Sequence, residues 1–570
     1  MSAAWLRRAL GWGFDLGALA LAVSVRLRAW PRHAPQRGAP SDIPEAWWEW
    51  GTLHDTILAG PDAGAWAANV RALVQGAPLD THRLPTFTYL AGWMTRAFDD
   101  VVFAGHLVNH LIAVAVVAVT YLFGRATSGR AAGLAAAVLV ALSGELVESQ
   151  QHYGGDPSMQ LIVLLVVATS WMAVSGSAWW LLAVGVSLGL AGATHFLALI
   201  FVPPALALLT LAPRRWWARI LGVLVAAGVG WMVWQQALSE YPPVTVEQVK
   251  SVFAEGAASH GRSEEGPKLD FDAAAELVMS RADGAATMTV ARGLAELSVG
   301  SVPWGLTVGL FWLGLFGPGL RRKPGPGGWD WRPALWLLAF LGPLVALEMA
   351  RAPMRYGLYA RPLLFLCVAR GAASLGALAD GLIRRWSGRW PAGLLGFVPA
   401  LLLVRGLEAP MEAQWNLYPP TEKGLTLREA GTECIARFGA GGGIATSNRD
   451  FAFHAERTAC MNVPCNGEDE VSLGQCLERL RVECAGEGPL PYVIENRSGH
   501  SIGDGHGFGD QPNAALDALV DEHFERIGRW PGRELSLMIY ALDREALAAL
   551  AKTLAGNKLR SVTPPPPPQR

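Results

Sequence analysis

The chain has 570 residues, of which 51% are hydrophobic and only 17% charged. Soluble proteins carry about 25% charged residues, so this chain lacks the polar side chains to cover a water-facing surface of its size. A net charge of -1 excludes a partner that demands a concentrated basic face, such as nucleic acid, while 24 tryptophans suit a protein seated at membrane interfaces.

Apolar runs that reach, or nearly reach, the length needed to cross about 30 Å of hydrocarbon recur along the chain. In order they are Leu10–Val25, Val101–Phe123, Ala131–Leu146, Met159–Val174, Trp179–Ala193, Phe196–Leu211, Ile220–Leu238, Val302–Leu320, Pro333–Met349, Pro362–Leu375 and Pro391–Val404. The expectation is a polytopic α-helical membrane protein of about eleven spans. Leu10–Val25 follows Arg7 and Arg8, has no small-residue cleavage site behind it and reads as a first anchor.

With alternating spans, Arg7/Arg8, Arg125/Arg130, Arg214/Arg215/Arg219, Arg321/Arg322/Lys323 and Arg384/Arg385/Arg389 fall on one side. The positive-inside rule makes that side cytoplasmic. Arg26, Arg28, Arg32 and Arg37 dissent; they belong to a long loop, and the two beside the first span can snorkel. Outside then lie the loops 29–100 and 239–301 and the whole tail from Arg405. The domains expected are 1–406 in the membrane, an extracytoplasmic α/β domain over 407–560, and a disordered polyproline end over 561–570.

In the first outer loop, Trp66, Val70, Leu73 and Val74 repeat at helical spacing, and Gly76 and Pro78 end the pattern. An amphipathic helix on the membrane surface is the natural pose. The stretch "SHGRSEEGPKLDFD" reads as a loop and "DGAATMTVARGLAELS" as a second interfacial helix. In the tail, "LREAGTECIARFG" and "NAALDALVDEHFERIG" read as helices, and "GGGIATS", "LPYVIEN" and "LSLMIYAL" as strands. A phosphate cradle needs strand, glycine loop, then helix; here a strand follows the glycines. Cys434, Cys460, Cys465, Cys476 and Cys484 cluster in the tail, which suits an oxidising compartment and at most two bridges within the chain. A zinc site is the competing reading, without a CxxC pair.

Three outer segments hold the chemistry. Asp62 heads the amphipathic helix, where it serves as an N-cap; a cap and a functional carboxylate are compatible. His82-Arg83 precede Pro85 and fit a solvated turn. In "VESQQHYGGDPSMQ", Glu148, His152 and Tyr153 crowd around Asp156-Pro157, a helix start, and Glu145 and Glu148 lie at a span end, where a carboxylate needs a cavity or a partner. In "EMARAPMRYGLYARP", Arg351, Arg355 and Arg361 lie at an outward boundary. Snorkelling accounts for them, and so does phosphate binding by the guanidinium fork.

These segments together resemble the GT-C superfamily of lipid-linked-sugar glycosyltransferases, nearest the protein mannosyltransferase-like branch that includes the aminoarabinose transferases of lipid A. "VRLRAW" is similar to the end of that family's first span, and "DAGAWAANVRALVQG" to its acidic residue followed by an aromatic, small residues and Gly. "HRLPTFTYL" resembles its basic-x-Pro stretch. "YLFGRATSGRAAGLAAAVLVALSGELVESQQHYGGDPSMQLIVLLV", "GLAGATHFLALIFVPPALALL" and "RYGLYARPLLFLCVARG" resemble, in order, the hairpins and the Arg-Tyr…Pro element that follow.

The resemblance implies a polyprenyl-phosphate sugar as donor, no cofactor, an envelope acceptor (lipid, glycan or protein), and an inner-membrane location. Asp62 would be the general base. Asp156, Arg355, Tyr356, His82, Arg83, His152, Tyr153, His195, Arg351 and Glu148 would bind donor or acceptor, with Arg355 on the phosphate. Two departures stand out. Ala63 replaces the second acid that relatives often carry after the first-loop Asp, and His195 stands where a Lys is common. An inactive GT-C-like subunit and a lipid or solute transporter are the alternative readings.

Overall fold

The computed structural model describes residues 13, 15–20, 22–24, 26–27, 63–77, 79, 85–175, 177–210, 216–239, 304–316, 358–359, 361–387, 422–446, 449–459, 470–484, 488–497, 514–530 and 535–561. The chain divides into two compact units, one of Met1–Trp30 with Val70–Tyr418, the other of Pro31–Asn69 with Pro419–Arg570.

The first unit is helical. A short apolar helix α1 (Asp15–Ser24) is followed, after α2 (Ala63–Gln75), of which Val70–Gln75 belongs to this unit, by α3 (Pro85–Phe98), α4 (Val101–Ser128), α5 (Arg130–Leu142), α6 (Gly144–Gln151) and α7 (Asp156–Ser175). Then come α8 (Trp180–Thr194), a 3-10 turn (Phe196–Phe201), α9 (Val202–Leu209), α10 (Trp216–Leu238), α11 (Trp304–Phe316) and α12 (Arg361–Ser387). In α2 the residues buried are Ala63, Gly64, Ala65, Ala67, Asn69 and Val70, whereas Trp66 and Leu73 of the expected stripe are half-buried and Val74 is exposed. Gly76, at φ 71°, ends α2 with the Ala77 N–H on the Ala72 carbonyl at 2.8 Å, a left-handed C-terminal cap. Asp100 starts α4 by accepting from the Phe103 N–H at 2.9 Å.

Among the described residues, four helices are long and apolar enough to cross a membrane: Val101–Ser128, Asp156–Ser175, Trp216–Leu238 and Arg361–Ile383. The pair α5 and α6 makes a fifth if counted as one, although it bends by 55° at Ser143. Helices α1, α8 and α11 are shorter, and Phe196–Leu211 is a 3-10 turn and the short α9. Pro333–Met349 and Pro391–Val404 lie outside the described residues, as do 240–303 and 562–570 with the loop, interfacial helix and tail end expected there. Among the described residues the count therefore falls short of eleven.

Lipid is as apolar as a leucine side chain, so helices in a bilayer associate through close backbone packing. Glycines provide it here at three crossings. A Cβ on Gly124 of α4 would lie 2.7 Å from Gly133 Cα of α5. One on Gly189 of α8 would lie 2.5 Å from the Gly230 carbonyl of α10, and one on Gly185 2.7 Å from the Ala226 carbonyl. Between α11 and α12, a Cβ on Gly314 would collide with the Cys367 carbonyl, and one on Gly371 with the Leu310 carbonyl. Helix α10 buries only Gly222, Ala226 and Gly230, while Trp216, Ile220, Leu224, Trp231 and Met232 are exposed, an apolar outer face that suits lipid.

The second unit holds α13 (Glu422–Phe438), β1 (Gly443–Ile444), α14 (Arg449–His454), β2 (Thr458–Ala459), α15 (Glu470–Glu483), β3 (Leu490–Arg497), α16 (Ala514–His523), β4 (Glu525–Trp530), β5 (Leu535–Leu542) and α17 (Arg544–Ser561). β1 and β2 pair in parallel, and β5 lies antiparallel between β3 and β4. A parallel bridge from Ala445 to Tyr492 joins the two sheets in the order β2-β1-β3-β5-β4. Alternation along β3 and β5 splits the core. Val493, Leu537 and Ile539 pack with Leu427 and Phe451 from α13 and α14. Tyr492, Ile494, Tyr540 and Leu542 pack with Leu477, Leu516 and Leu547 from α15, α16 and α17. The "FERIG" end of the expected tail helix is in fact the start of β4, where Arg526 and Gly528 pair with Tyr540 and Ile539.

Polar contacts lock these layers. Tyr492 and Tyr540 stand opposite each other on β3 and β5. They donate to Asp517 at 2.7 Å and Asp521 at 2.6 Å, which are one turn apart on α16. Arg457 donates to the Gly439 carbonyl at 3.2 Å and the Gly443 carbonyl at 3.1 Å, closing the C-terminus of α13. Arg544 does the same beyond α15, at 2.8 Å to both Cys484 and Gly488 carbonyls. Cys434 is a buried free thiol. Cys476 and Cys484 are disulfide-bonded, and eight helical residues set them about 12 Å apart, too far to bridge each other. A disulfide sulfur is no thiolate ligand, so neither supports the zinc reading.

Two outcomes are expected. Gly371→Leu destabilises the α11–α12 crossing by about 3 kcal/mol, the upper end for overpacking, whereas Gly309→Ala, with open space around it, leaves the melting temperature of the purified protein unchanged. Burial raises the Asp517 carboxyl, outweighing the Tyr492 hydrogen bond that lowers it. A carboxyl raised in the folded state binds its proton better folded than unfolded, so its ionisation weakens the fold. Amide exchange in α16 should therefore slow as pH falls through the carboxylate range, and Asp517→Asn should flatten that dependence.

Candidate functional site

The bend between α5 and α6 sets the first acid. Ser143 interrupts the helix, and its hydroxyl accepts from the Leu146 N–H at 3.4 Å. Glu145 stands in the first turn beyond it. α12 opens with Arg361 followed by Pro362, whose missing N–H costs nothing in a first turn. Arg361 is buried and forms an ion pair with Glu145. Two residues earlier, the buried Tyr359 donates to Asp156 Oδ1 at 3.0 Å. Asp156 begins α7, where the Met159 N–H bonds the Gly155 carbonyl. Its carboxylate, expected to cap α7, accepts from Tyr359 instead. The His195 ring lies 6.4 Å from the Tyr359 ring, because α8 ends at Thr194 and His195 turns to extended backbone.

Tyr359 and Arg361 thus gather an acid from α7 and an acid from α6, and the Tyr359 ring faces a histidine from the end of α8. The arrangement offers a carboxylate, an imidazole and a guanidinium to a polar ligand. Glu148 is half-buried on α6, one turn from Glu145. His152 ends α6, and its carbonyl accepts from Asn109 Nδ2 at 2.6 Å; Asn109 Oδ1 is buried with no partner among the described residues. Tyr153 is buried with its hydroxyl on the Val101 carbonyl at 2.9 Å and its ring against Phe87 and His106. Gly105 makes room for that ring, which a Cβ would strike. Burial pushes the Tyr153 phenol far above its ordinary value, which keeps it a donor. Asp62, His82, Arg83, Arg351, Arg355 and Tyr356 lie outside the described residues. Ala63 is fully buried, so an acid there would lose its water.

Sequence reasoning passed over Tyr359; it marked Glu145 as a carboxylate needing a cavity or partner and offered phosphate binding as one reading of Arg361, but placed neither among the donor- or acceptor-binding residues. It also took Arg26 for a snorkelling side chain. Arg26 is buried. Its guanidinium donates to Gln150 Oε1 at 3.2 Å and to the Val140 carbonyl, and Gln150 Nε2 donates back to the Arg26 carbonyl at 2.7 Å. At the start of α1, the buried Asp15 accepts from Tyr121 at 2.7 Å and from Arg130 at 2.7 and 2.8 Å, with Arg125 at 3.6 Å. Asp15 at the start of α1 and Arg26 just beyond its end are therefore tied by polar contacts to α4, α5 or α6.

Comparison with known proteins extends this picture. Residues 82–234 match the family described as dolichyl-phosphate-mannose-protein mannosyltransferase. The structure of ArnT from Cupriavidus metallidurans bound to undecaprenyl phosphate is similar over 92% of this chain and 98% of that one, at a TM-score of 0.55 and 13% identity. ArnT in the apo state gives 0.56 and 14%, over 95% and 99%. The apo oligosaccharyltransferase of Archaeoglobus fulgidus gives 0.53 and 12%, over 91% and 80%. No curated protein sequence matches.

Tyr359→Phe removes one hydrogen bond to a charged acceptor and should destabilise the purified protein by about 1.5–3 kcal/mol, read as a lowered melting temperature.

Proposed function

We propose that this chain, a multi-pass membrane protein of the GT-C glycosyltransferase fold, transfers a sugar from polyprenyl phosphate to an envelope acceptor at the extracytoplasmic face of the inner membrane. The observation that carries the reading is the pair of contacts, Arg361 with Glu145 and Tyr359 with Asp156, that sets a buried guanidinium and a carboxylate two residues apart along one segment. A guanidinium there suits an anionic phosphate, and a carboxylate suits hydroxyls of sugar or acceptor. The likeness to ArnT bound to undecaprenyl phosphate supports a polyprenyl carrier, and the disulfide-bonded Cys476 and Cys484 support an oxidising, extracytoplasmic setting for the tail.

In this reading the lipid lies between spans with its phosphate at the outer boundary. Asp62 takes the proton from the acceptor oxygen or nitrogen. The acceptor's electron pair forms a bond to the anomeric carbon while the bond from that carbon to phosphate oxygen breaks, with inversion. The leaving electron pair stays on the carrier phosphate, whose charge is met by Arg355 and Arg361, with Arg351 or His195 in support. Asp156 holds the reacting groups in register. His82, Arg83, His152, Tyr356 and Glu148 complete the surroundings, and no resident cofactor enters the proposal.

The test is incubation of wild type and Asp62→Asn with a panel of polyprenyl-phosphate sugars, with released sugar measured. Loss of one general base should slow release by about 100-fold or more. Equal release by both proteins would remove Asp62 from the role, and no release from any donor by wild type would favour the inactive subunit.

A further inference from the structure

The Arg361–Glu145 pair is asymmetric. The Arg361 side chain is 3% exposed and the Glu145 side chain 21%, so the cation is the enclosed member and the acid the one that reaches outward. Arg361 also opens a 27-residue helix, where first-turn N–H groups add positive potential. A cation enclosed to this degree keeps an anion beside it at all times, because stripping the partner leaves an uncompensated charge. A phosphate group offers the same forked acceptor geometry as a carboxylate, with as much charge or more. Glu145 therefore stands where a ligand phosphate would stand. Glu145 is not the one contact here: Tyr359, two residues before Arg361, is held by Asp156, so Arg361 keeps its place when the acid lets go.

We propose that Glu145 is a built-in counter-anion that exchanges with the phosphate of the polyprenyl carrier on Arg361. It neutralises Arg361 in the empty site and, once displaced, repels the bound phosphate and speeds departure of the spent carrier. The exchange makes and breaks no covalent bond. This inference rests on the proposed function and gives the same site a means of product release.

The test uses the full chain in lipid nanodiscs with undecaprenyl phosphate as probe, binding and dissociation followed by tryptophan fluorescence, and folding checked by thermal unfolding. Glu145→Gln should bind about five- to tenfold tighter, with slower dissociation, because a charge a few ångströms from the phosphate is gone. Glu145→Asp, which keeps the charge, should stay near wild type, and Glu145→Met replaces the Gln variant if that one fails to fold. Arg361→Gln should bind at least about tenfold more weakly. Inorganic phosphate at the same concentration should not compete, which separates the lipid from the free anion. Unchanged or weaker binding by folded Glu145→Gln or Glu145→Met overturns the inference alone, as does wild-type binding by Arg361→Gln or effective competition by inorganic phosphate. Absence of binding by the wild type overturns the proposed function together with it.

Discussion

A charge enclosed in an apolar bundle has to bring its counter-charge with it, and this constraint organises the helical unit. For a buried charge such as Asp15, Arg26 or Arg361, the alternative to an internal partner is a desolvated ion costing several kcal/mol. Asp15 meets Tyr121, Arg125 and Arg130; Arg26 meets Gln150 and the Val140 carbonyl; Arg361 meets Glu145. Each pairing joins helices far apart in sequence. Together they fix the azimuth and depth of α1, α4, α5, α6 and α12 in a way apolar side chains, interchangeable with lipid, do not.

Glycine crossings supply the complementary half. They bring backbones together at Gly124–Gly133, Gly189–Gly230 and Gly314–Gly371, where dispersion over many short contacts substitutes for a hydrophobic force that lipid does not provide. Such crossings give proximity, and the polar pairs give register. The candidate site lies where both act on one element: α12 is held close to α11 by Gly371, and its first residue is held to α6 by charge. An arginine placed by a rigid helix rather than a free loop is pre-organised for an anion.

The second unit follows the rules of a water-soluble fold. Its sheet is apolar on both faces, so alternate residues of β3 and β5 feed two cores. Its helix ends are closed by arginines, and its tyrosine hydroxyls find carboxylates one turn apart on α16. Low charge and long apolar runs in one half, and cysteines, alternation and short strands in the other, reflect the two solvents the chain meets.

Hydropathy and period alone located α4, α7, α10 and α12, the strands β1, β3 and β5, and the break at Thr194-His195, since these depend on which neighbours in sequence share a face. They also marked Glu145 and Arg361 as costly, and Asp156 as a helix start. What sequence did not disclose was pairing: that Arg26 turns inward to Gln150, that Asp156 serves Tyr359 instead of its own helix, and that Glu145 answers Arg361. Those partners stand 124, 203 and 216 residues apart. A local pattern shows that a charge needs a partner. Only the packing of distant helices decides which one it finds, because desolvation energy depends on what surrounds the group in space.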